Sequence, residues 1–309
     1  HHRPRRMGKA HRLGRVQGHH CRWSLSFLPT QQPIGVFDSG IGGLSVLQAL
    51  RAALPHERFV YLADSAYAPY GERGDAFVKA RSHAIADYLC QQHHIKALVV
   101  ACNTATAAAI DELRAQHPQL PLVGIEPALK PAVAQSKTKR IGVIGTRGTL
   151  GSARFAKLLA SLQGQAEFVL QPCDGLAHAI ERSTLQNPAN GLIQTTETQA
   201  LCARYTQALG QFGPQPGQID TLVLGCTHYL FAQDDLQALL GPAIRLVAAG
   251  EPVARQTRHL LQATGRLCHA PTPLTPNTAL QLYTTGTLAA LQTAAARWLQ
   301  LPASCCQSF

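Results

Sequence analysis

Two short stretches constrain this chain more than any other feature. Ala97-Leu98-Val99-Val100-Ala101-Cys102-Asn103-Thr104 and Thr221-Leu222-Val223-Leu224-Gly225-Cys226-Thr227-His228 each run an apolar segment into a cysteine, then a small polar residue and a helix-compatible segment. A short apolar run closed by turn chemistry reads as a strand buried on both faces of a parallel sheet. Each cysteine is then expected at a strand's carboxyl end, where open α/β sheets place ligands. One such cysteine in each half points to a site built between two related halves.

The surrounding pattern also repeats. Residues 34–38 predict a strand, followed by the glycine-rich turn Ser39-Gly40-Ile41-Gly42-Gly43-Leu44-Ser45 and a helix through Leu50. Residues 141–145 with Thr146-Arg147-Gly148-Thr149-Leu150 restart that logic, with a helix through Leu162. Further strands are expected over 59–64, 122–125, 168–170 and 244–247. Helices are expected over 77–92, 104–116, 252–263, 288–299 and from the Cys226 segment through Leu240. Pro127 and Pro131 make 126–138 a linker candidate. A strand over 280–284 has no place in the second half and is expected to return to the first sheet. The fold class is therefore α/β, with two pseudo-symmetric parallel-sheet domains and an active site in the cleft between them. The first domain, discontinuous, takes 33–126 plus 254–303 and carries Cys102; the second takes 127–253 and carries Cys226.

A net charge of +11 suggests a polyanion partner until it is located. Residues 1–22 hold seven of the 28 basic residues and no acid, which leaves 21 against 17 and a balance of +4 for the remainder. Residues 1–32 read as a basic, disordered extension, formally similar to a transit peptide, with the true start uncertain at Met7. Nucleic-acid binding is not established by this charge. No apolar run reaches the ~18 residues of a membrane span. Nine cysteines without CxxC pairs or a regular framework fit a reducing, cytoplasmic setting and argue against structural zinc.

A cysteine at a helix N-terminus is expected to have its thiol pKa lowered toward neutrality. Two such thiols in pseudo-symmetric positions suit a reaction in which one removes a proton and the other returns one to the opposite face. That inverts a stereocentre without a cofactor and fits a free amino acid held by Ser39, Asn103, Thr104, Thr227 and loop amides. Asp38 and His228 are each placed to assist the thiol on their own side, keeping it ionised or relaying its proton. The bland alternatives are a helix-capping Asp38, a core His228 and inert buried cysteines; Cys90, Cys173, Cys202 and Cys268 fit the last description. Backbone amides of the glycine turn can hold an anion, although the turn lacks a dinucleotide fingerprint and a P-loop lysine.

These residues together resemble the glutamate racemases. Phe37-Asp38-Ser39-Gly40-Ile41-Gly42-Gly43-Leu44-Ser45-Val46 is similar to that family's opening signature, Asp64-Ser65 with Pro69-Tyr70-Gly71 to its second, Ala101-Cys102-Asn103-Thr104-Ala105 to its third and Gly225-Cys226-Thr227-His228-Tyr229 to its last. Gly145-Thr146-Arg147-Gly148-Thr149 also fits. The resemblance implies cofactor-independent interconversion of L- and D-glutamate for peptidoglycan synthesis, with Cys102 and Cys226 as the acid/base pair and Asp38 and His228 as assistants. It implies Asp38, Ser39, Tyr70, Gly71, Asn103, Thr104, Thr227 and His228 as substrate-binding positions. Asp64 and Glu181 match further site acids. Leu230 and Asp174 replace family prolines beside the site and bear on local loop geometry. The extension, with Pro127-Ala128-Leu129-Lys130-Pro131-Ala132, resembles the subgroup activated by UDP-N-acetylmuramoyl-L-alanine.

The nearest rival is a sibling racemase acting on aspartate or hydantoins, because substrate choice rests on pocket shape. Pyridoxal chemistry needs a Schiff-base lysine in the site, and no lysine follows Lys157. A non-enzymatic two-domain anion-binding protein would not need two matched cysteines. Gyrase interaction is not established, and either a monomer or a homodimer is compatible with the sequence.

Overall fold

The computed structural model describes residues 29–185, 196–269 and 273–309, so most of the basic leader lies outside the described residues. The strands are β1 (Ile34–Asp38), β2 (Phe59–Ala63), β3 (Ala97–Val100), β4 (Leu122–Gly124), β5 (Arg140–Gly145), β6 (Glu167–Pro172), β7 (Thr221–Gly225), β8 (Arg245–Val247), β9 (Leu280–Thr284) and β10 (Cys306–Ser308). They form two sheets, ordered β10-β9-β2-β1-β3-β4 and β6-β5-β7-β8, and every pairing is parallel. Strands β1, β2, β3, β7 and β9 are buried along their whole length. Helices cover both faces of a parallel sheet, which is why these strands read as continuous apolar runs rather than alternating ones.

The strand order locates the site. In the first sheet the chain runs from β1 outward to β2, then crosses to β3 on the other side of β1. In the second, β5 leads out to β6 and then across to β7. The order reverses between β1 and β3 and between β5 and β7, and a crevice opens at the carboxyl ends of strands at such a reversal. Cys102 follows β3 and Cys226 follows β7 directly, so each sheet delivers its cysteine to its own crevice.

The segment 280–284 lies beside β2 in the first sheet, and β10, not foreseen in the sequence, extends that edge. The return crossing is pinned by a buried ion pair, Lys96 Nζ to Glu57 Oε2 at 2.5 Å. Lys96 also donates to the carbonyls of Thr30 and Arg266, and Glu57 accepts from the Cys268 amide. Removing one partner of a buried pair costs about 3–5 kcal/mol, because the other is left uncompensated.

Several local expectations are corrected. The linker candidate 126–138 contains a helix, Leu129–Gln135, with Pro131 in its first turn, where a missing amide costs no intrahelical bond. The helix expected through Leu162 is broken into Arg147–Leu150 and Ala153–Ala160, and Ser152 caps the second piece by accepting from the Phe155 amide. The segment after Cys226 is a 3-10 helix, Thr227–Ala232, before the α-helix Gln233–Leu240. The helix Glu197–Leu209 was not anticipated, although Thr196 and Gln199 form the reciprocal capping box that marks such a start. No helix of the described residues is long and apolar enough to cross a membrane.

Candidate active site

The two crevices face each other and form one cleft of about 610 Å3, part of it open to solvent. Cys102, Asn103, Thr104, Asp38 and Ser39 line it from the first sheet, and Cys226, Thr227 and His228 from the second. Tyr70, Gly71 and Glu181 complete the set expected from the sequence. Asp64 does not reach the cleft: it is wholly buried behind Tyr70, whose hydroxyl donates to it.

The two thiols are in unlike surroundings. Cys102, 5% exposed, is the N-cap of the helix Asn103–Gln116, and its Sγ accepts from the Ala105 amide at 3.4 Å. The expected lowering of its pKa does not occur. Burial pushes the Cys102 thiol well up, Asp38's charge adds to that, and the helix amide with Ser39 only partly opposes it. A helix N-terminus stabilises a thiolate by a modest amount, and loss of solvent outweighs it.

Cys226 Sγ lies 3.8 Å from His228 Nδ1, and the other ring nitrogen of His228 contacts the Glu181 carboxylate. Burial disfavours the imidazolium, but hydrogen bonding to Cys226 and Glu181 outweighs burial and raises the His228 pKa well above its ordinary value. Protonated, this ring would place a cation 3.8 Å from the Cys226 sulfur.

Asp38 is wholly buried. Its Oδ2 accepts from the Gly43 amide at 2.8 Å and from Thr227 Oγ1 at 3.4 Å, while Oδ1 has no hydrogen-bond partner among the described residues. Burial raises its pKa above the usual carboxylate range, with the charge of His228 and the Gly43 amide opposing. An ionised Asp38 raises the thiol pKa of Cys102 instead of keeping it ionised, which corrects that expectation; carrying a proton suits this carboxyl better.

The glycine turn meets the other half directly. A Cβ on Gly42 would stand 2.4 Å from His228 Nδ1 and 2.5 Å from Thr227 Oγ1, and one on Gly40 would stand 2.6 Å from Glu181 Oε2. The Ile41 amide donates to both Glu181 oxygens at 3.2 Å, and Gly43 is taken by Asp38. Two of the amides read in the sequence as an anion cradle, those of Ile41 and Gly43, are therefore taken by the protein's own carboxylates.

Sequence reasoning left several lining residues without a role. Thr146 follows β5 and exchanges a hydrogen bond with Thr104 across the cleft at 2.9 Å; its place after a strand at the order reversal was the available signal. Arg147 and Asp174 pair at the mouth at 2.7 Å, and the Asp174 carbonyl accepts from Tyr205, so the residue replacing a proline is tied down twice. Leu230, the other replacement, lies within the 3-10 helix and packs on the second sheet's core. Glu72 and His178 also line the cleft, and no lysine of the described residues does. Among the described residues no group of three His, Cys, Asp or Glu side chains is arranged to hold a metal ion.

The sequence profile of the Asp/Glu/Hydantoin racemase family matches residues 35–254. A protein named glutamate racemase from Ectopseudomonas mendocina is 46% identical over 232 residues, covering 75% of this chain and 83% of the relative. A protein of the same name from Pseudomonas aeruginosa is 45% identical over 242 residues, covering 78% and 86%. Among solved structures, a glutamate racemase isoform from Bacillus anthracis superposes with a TM-score of 0.75 at 31% identity, covering 91% of this chain and 98% of that one. The Escherichia coli glutamate racemase, solved with L-glutamate and the activator UDP-MurNAc-Ala, gives 0.73 at 26% identity, covering 90% and 98%.

Proposed function

We propose, from the premise that this chain belongs to the Asp/Glu/hydantoin racemase family, that it interconverts L- and D-glutamate without a cofactor and supplies D-glutamate for peptidoglycan synthesis. The observation that carries the reading is the opposition of two cysteine-bearing strand ends, one from each sheet, across a single cleft. Glutamate lies with its α-carbon between the sulfurs. One sulfur, as thiolate, takes the α-proton; the electron pair moves onto the α-carboxylate; the other, as thiol, delivers a proton to the opposite face. One proton leaves and one arrives, so the configuration inverts with no net change in composition.

The supporting residues divide by side. His228, backed by Glu181, serves Cys226 as a buried cation beside the sulfur that can relay a proton to it. Asp38 serves the Cys102 side as a carboxyl whose raised pKa lets it carry a proton. Ser39, Asn103, Thr104 and Thr227 supply donors to the substrate carboxylates, and Tyr70 and Gly71 form the wall. Residues 33–126 with 254–303 and residues 127–253 act as the two domains, and the cytoplasm is the place of action. Activation by UDP-N-acetylmuramoyl-L-alanine accompanies this reading, supported by the ligand of the Escherichia coli relative.

The test is turnover of L-glutamate in deuterated water. D-glutamate carrying α-deuterium is expected, while unreacted L-glutamate stays protonated at early times. Failure to racemise glutamate, with or without the precursor, alongside racemisation of aspartate or a hydantoin, would overturn the substrate assignment.

Glu181→Gln tests the assisting pair. Against burial, hydrogen bonding to Cys226 and then to Glu181 raises the His228 pKa, so without the Glu181 charge the imidazolium is lost at lower pH. The alkaline limb of kcat/KM is expected to move to lower pH. An unmoved limb in a steady-state pH profile would remove Glu181 from the proposed machinery.

A further inference from the structure

The Tyr70 wall of the cleft is held from behind by contacts that the proton transfers do not use. Tyr70 is 1% exposed and donates its hydroxyl to Asp64. Asp64 in turn receives two hydrogen bonds from Arg81, Nε to Oδ2 at 2.9 Å and Nη2 to Oδ1 at 2.8 Å, and a third from Thr285 Oγ1 at 3.0 Å. Arg81 belongs to the helix Asp75–His93. Its guanidinium sits over the ring of Tyr67, 3.7 Å from the centroid. One turn earlier on that helix, Phe77 meets Tyr70 edge-on at 6.2 Å. The same helix thus holds both ends of the segment 64–71, and the next carbonyl along, that of Gly71, accepts from the Gly148 amide of the other half at 3.2 Å.

We propose that Arg81 is a positioning residue for substrate binding: through Asp64 it fixes the Tyr70 hydroxyl, and with it the wall against which glutamate lies. This rests on the racemase reading above. A buried carboxylate needs an opposing charge and filled lone pairs, and a guanidinium supplies both in one planar fork. It also stacks on Tyr67, which a lysine ammonium cannot do with the same geometry. Without Arg81, Asp64 loses two of its donors and the charge opposite it, and it stops being a fixed acceptor for Tyr70. The wall contacts ground state and transition state alike, so its loosening weakens binding more than chemistry.

The experiment measures glutamate racemisation and thermal unfolding for wild type, Arg81→Ala, Arg81→Lys, Tyr70→Phe and the double variant Arg81→Ala/Tyr70→Phe. Arg81→Ala is expected to raise KM about tenfold with kcat within about threefold, and Arg81→Lys to behave like it. Guanidinium chloride well below denaturing concentration should lower the KM of Arg81→Ala, with sodium chloride at equal ionic strength ineffective. The double variant should be no worse than the poorer single variant, because both break one chain of contacts. An unchanged KM in Arg81→Ala, full activity in Arg81→Lys or additive losses in the double variant would each overturn the proposal. If Arg81→Ala does not fold, Arg81→Lys carries the same KM criterion. Wild type that fails to racemise glutamate overturns the racemase reading and this inference together, whereas an active wild type with insensitive Arg81 variants overturns this inference alone.

Discussion

Cys102→Ala and Cys226→Ala are each expected to lower glutamate racemisation in both directions by about a thousandfold or more, with thermal unfolding close to that of wild type. In the proposed mechanism each sulfur serves as base in one direction and as acid in the other, so removing either one interrupts both, and a positioned acid or base accounts for about 10²–10⁴-fold. The variants should also differ from each other in a way that a merely structural loss would not produce. Each retains one thiol, which can remove the α-proton of the enantiomer facing it and return a solvent deuteron to the same face. Exchange without inversion is therefore expected for one enantiomer in Cys102→Ala and for its mirror image in Cys226→Ala, read by proton NMR in deuterated water. Robust racemisation by either variant would refute the two-base mechanism. Exchange of the same enantiomer by both would refute the opposition of the two thiols.

Gly42→Ala is expected to lower kcat/KM by about a hundredfold while costing only about 1–3 kcal/mol of stability. The added methyl would start 2.4 Å from His228 Nδ1 and 2.5 Å from Thr227 Oγ1, so one or both must move away from Cys226 and the substrate. A displacement near 1 Å at a catalytic group is worth about two orders of magnitude in rate. The cost falls on geometry, because Gly42 has an ordinary backbone conformation and is not among the positive-φ glycines. Gly74→Ala is the natural control, since nothing lies within 4 Å of the position its Cβ would take. Equal activity of Gly42→Ala and Gly74→Ala would show that the close approach of the turn to His228 has no bearing on turnover.

Much of the fold was legible in the chain. Strands β1, β3, β5, β7 and β9 stand out because helices on both faces demand apolar residues along nearly their whole length. The three-residue β10 is too short to carry a period, and it exists because β9 offers an open edge in register with it. The break between Arg147–Leu150 and Ala153–Ala160 turned on whether Ser152 would cap, a choice between two locally acceptable conformations. In the site, residues at strand ends were readable by position: Asp38, Cys102 and Cys226 follow from where strands stop. Glu181 was reached only through resemblance, since it looks like any helix acid until its contact with Ile41, 140 residues away, is seen.

The sequence by itself determined the two-part α/β plan, the strand ends and the pairing of one cysteine per half, because these follow from hydrophobic period and turn chemistry within a few residues. Only the tertiary structure decided what those groups do to one another. It turned a glycine loop from an apparent anion cradle into a seam against His228 and Glu181. It set Asp64 behind Tyr70 instead of in the cleft. It also made the two thiols unequal, Cys102 buried beside a carboxylate and Cys226 facing an imidazolium. Ionisation and close approach depend on every group packed around an atom and on the water excluded from it. Those neighbours come from distant parts of the chain, and no local pattern records them.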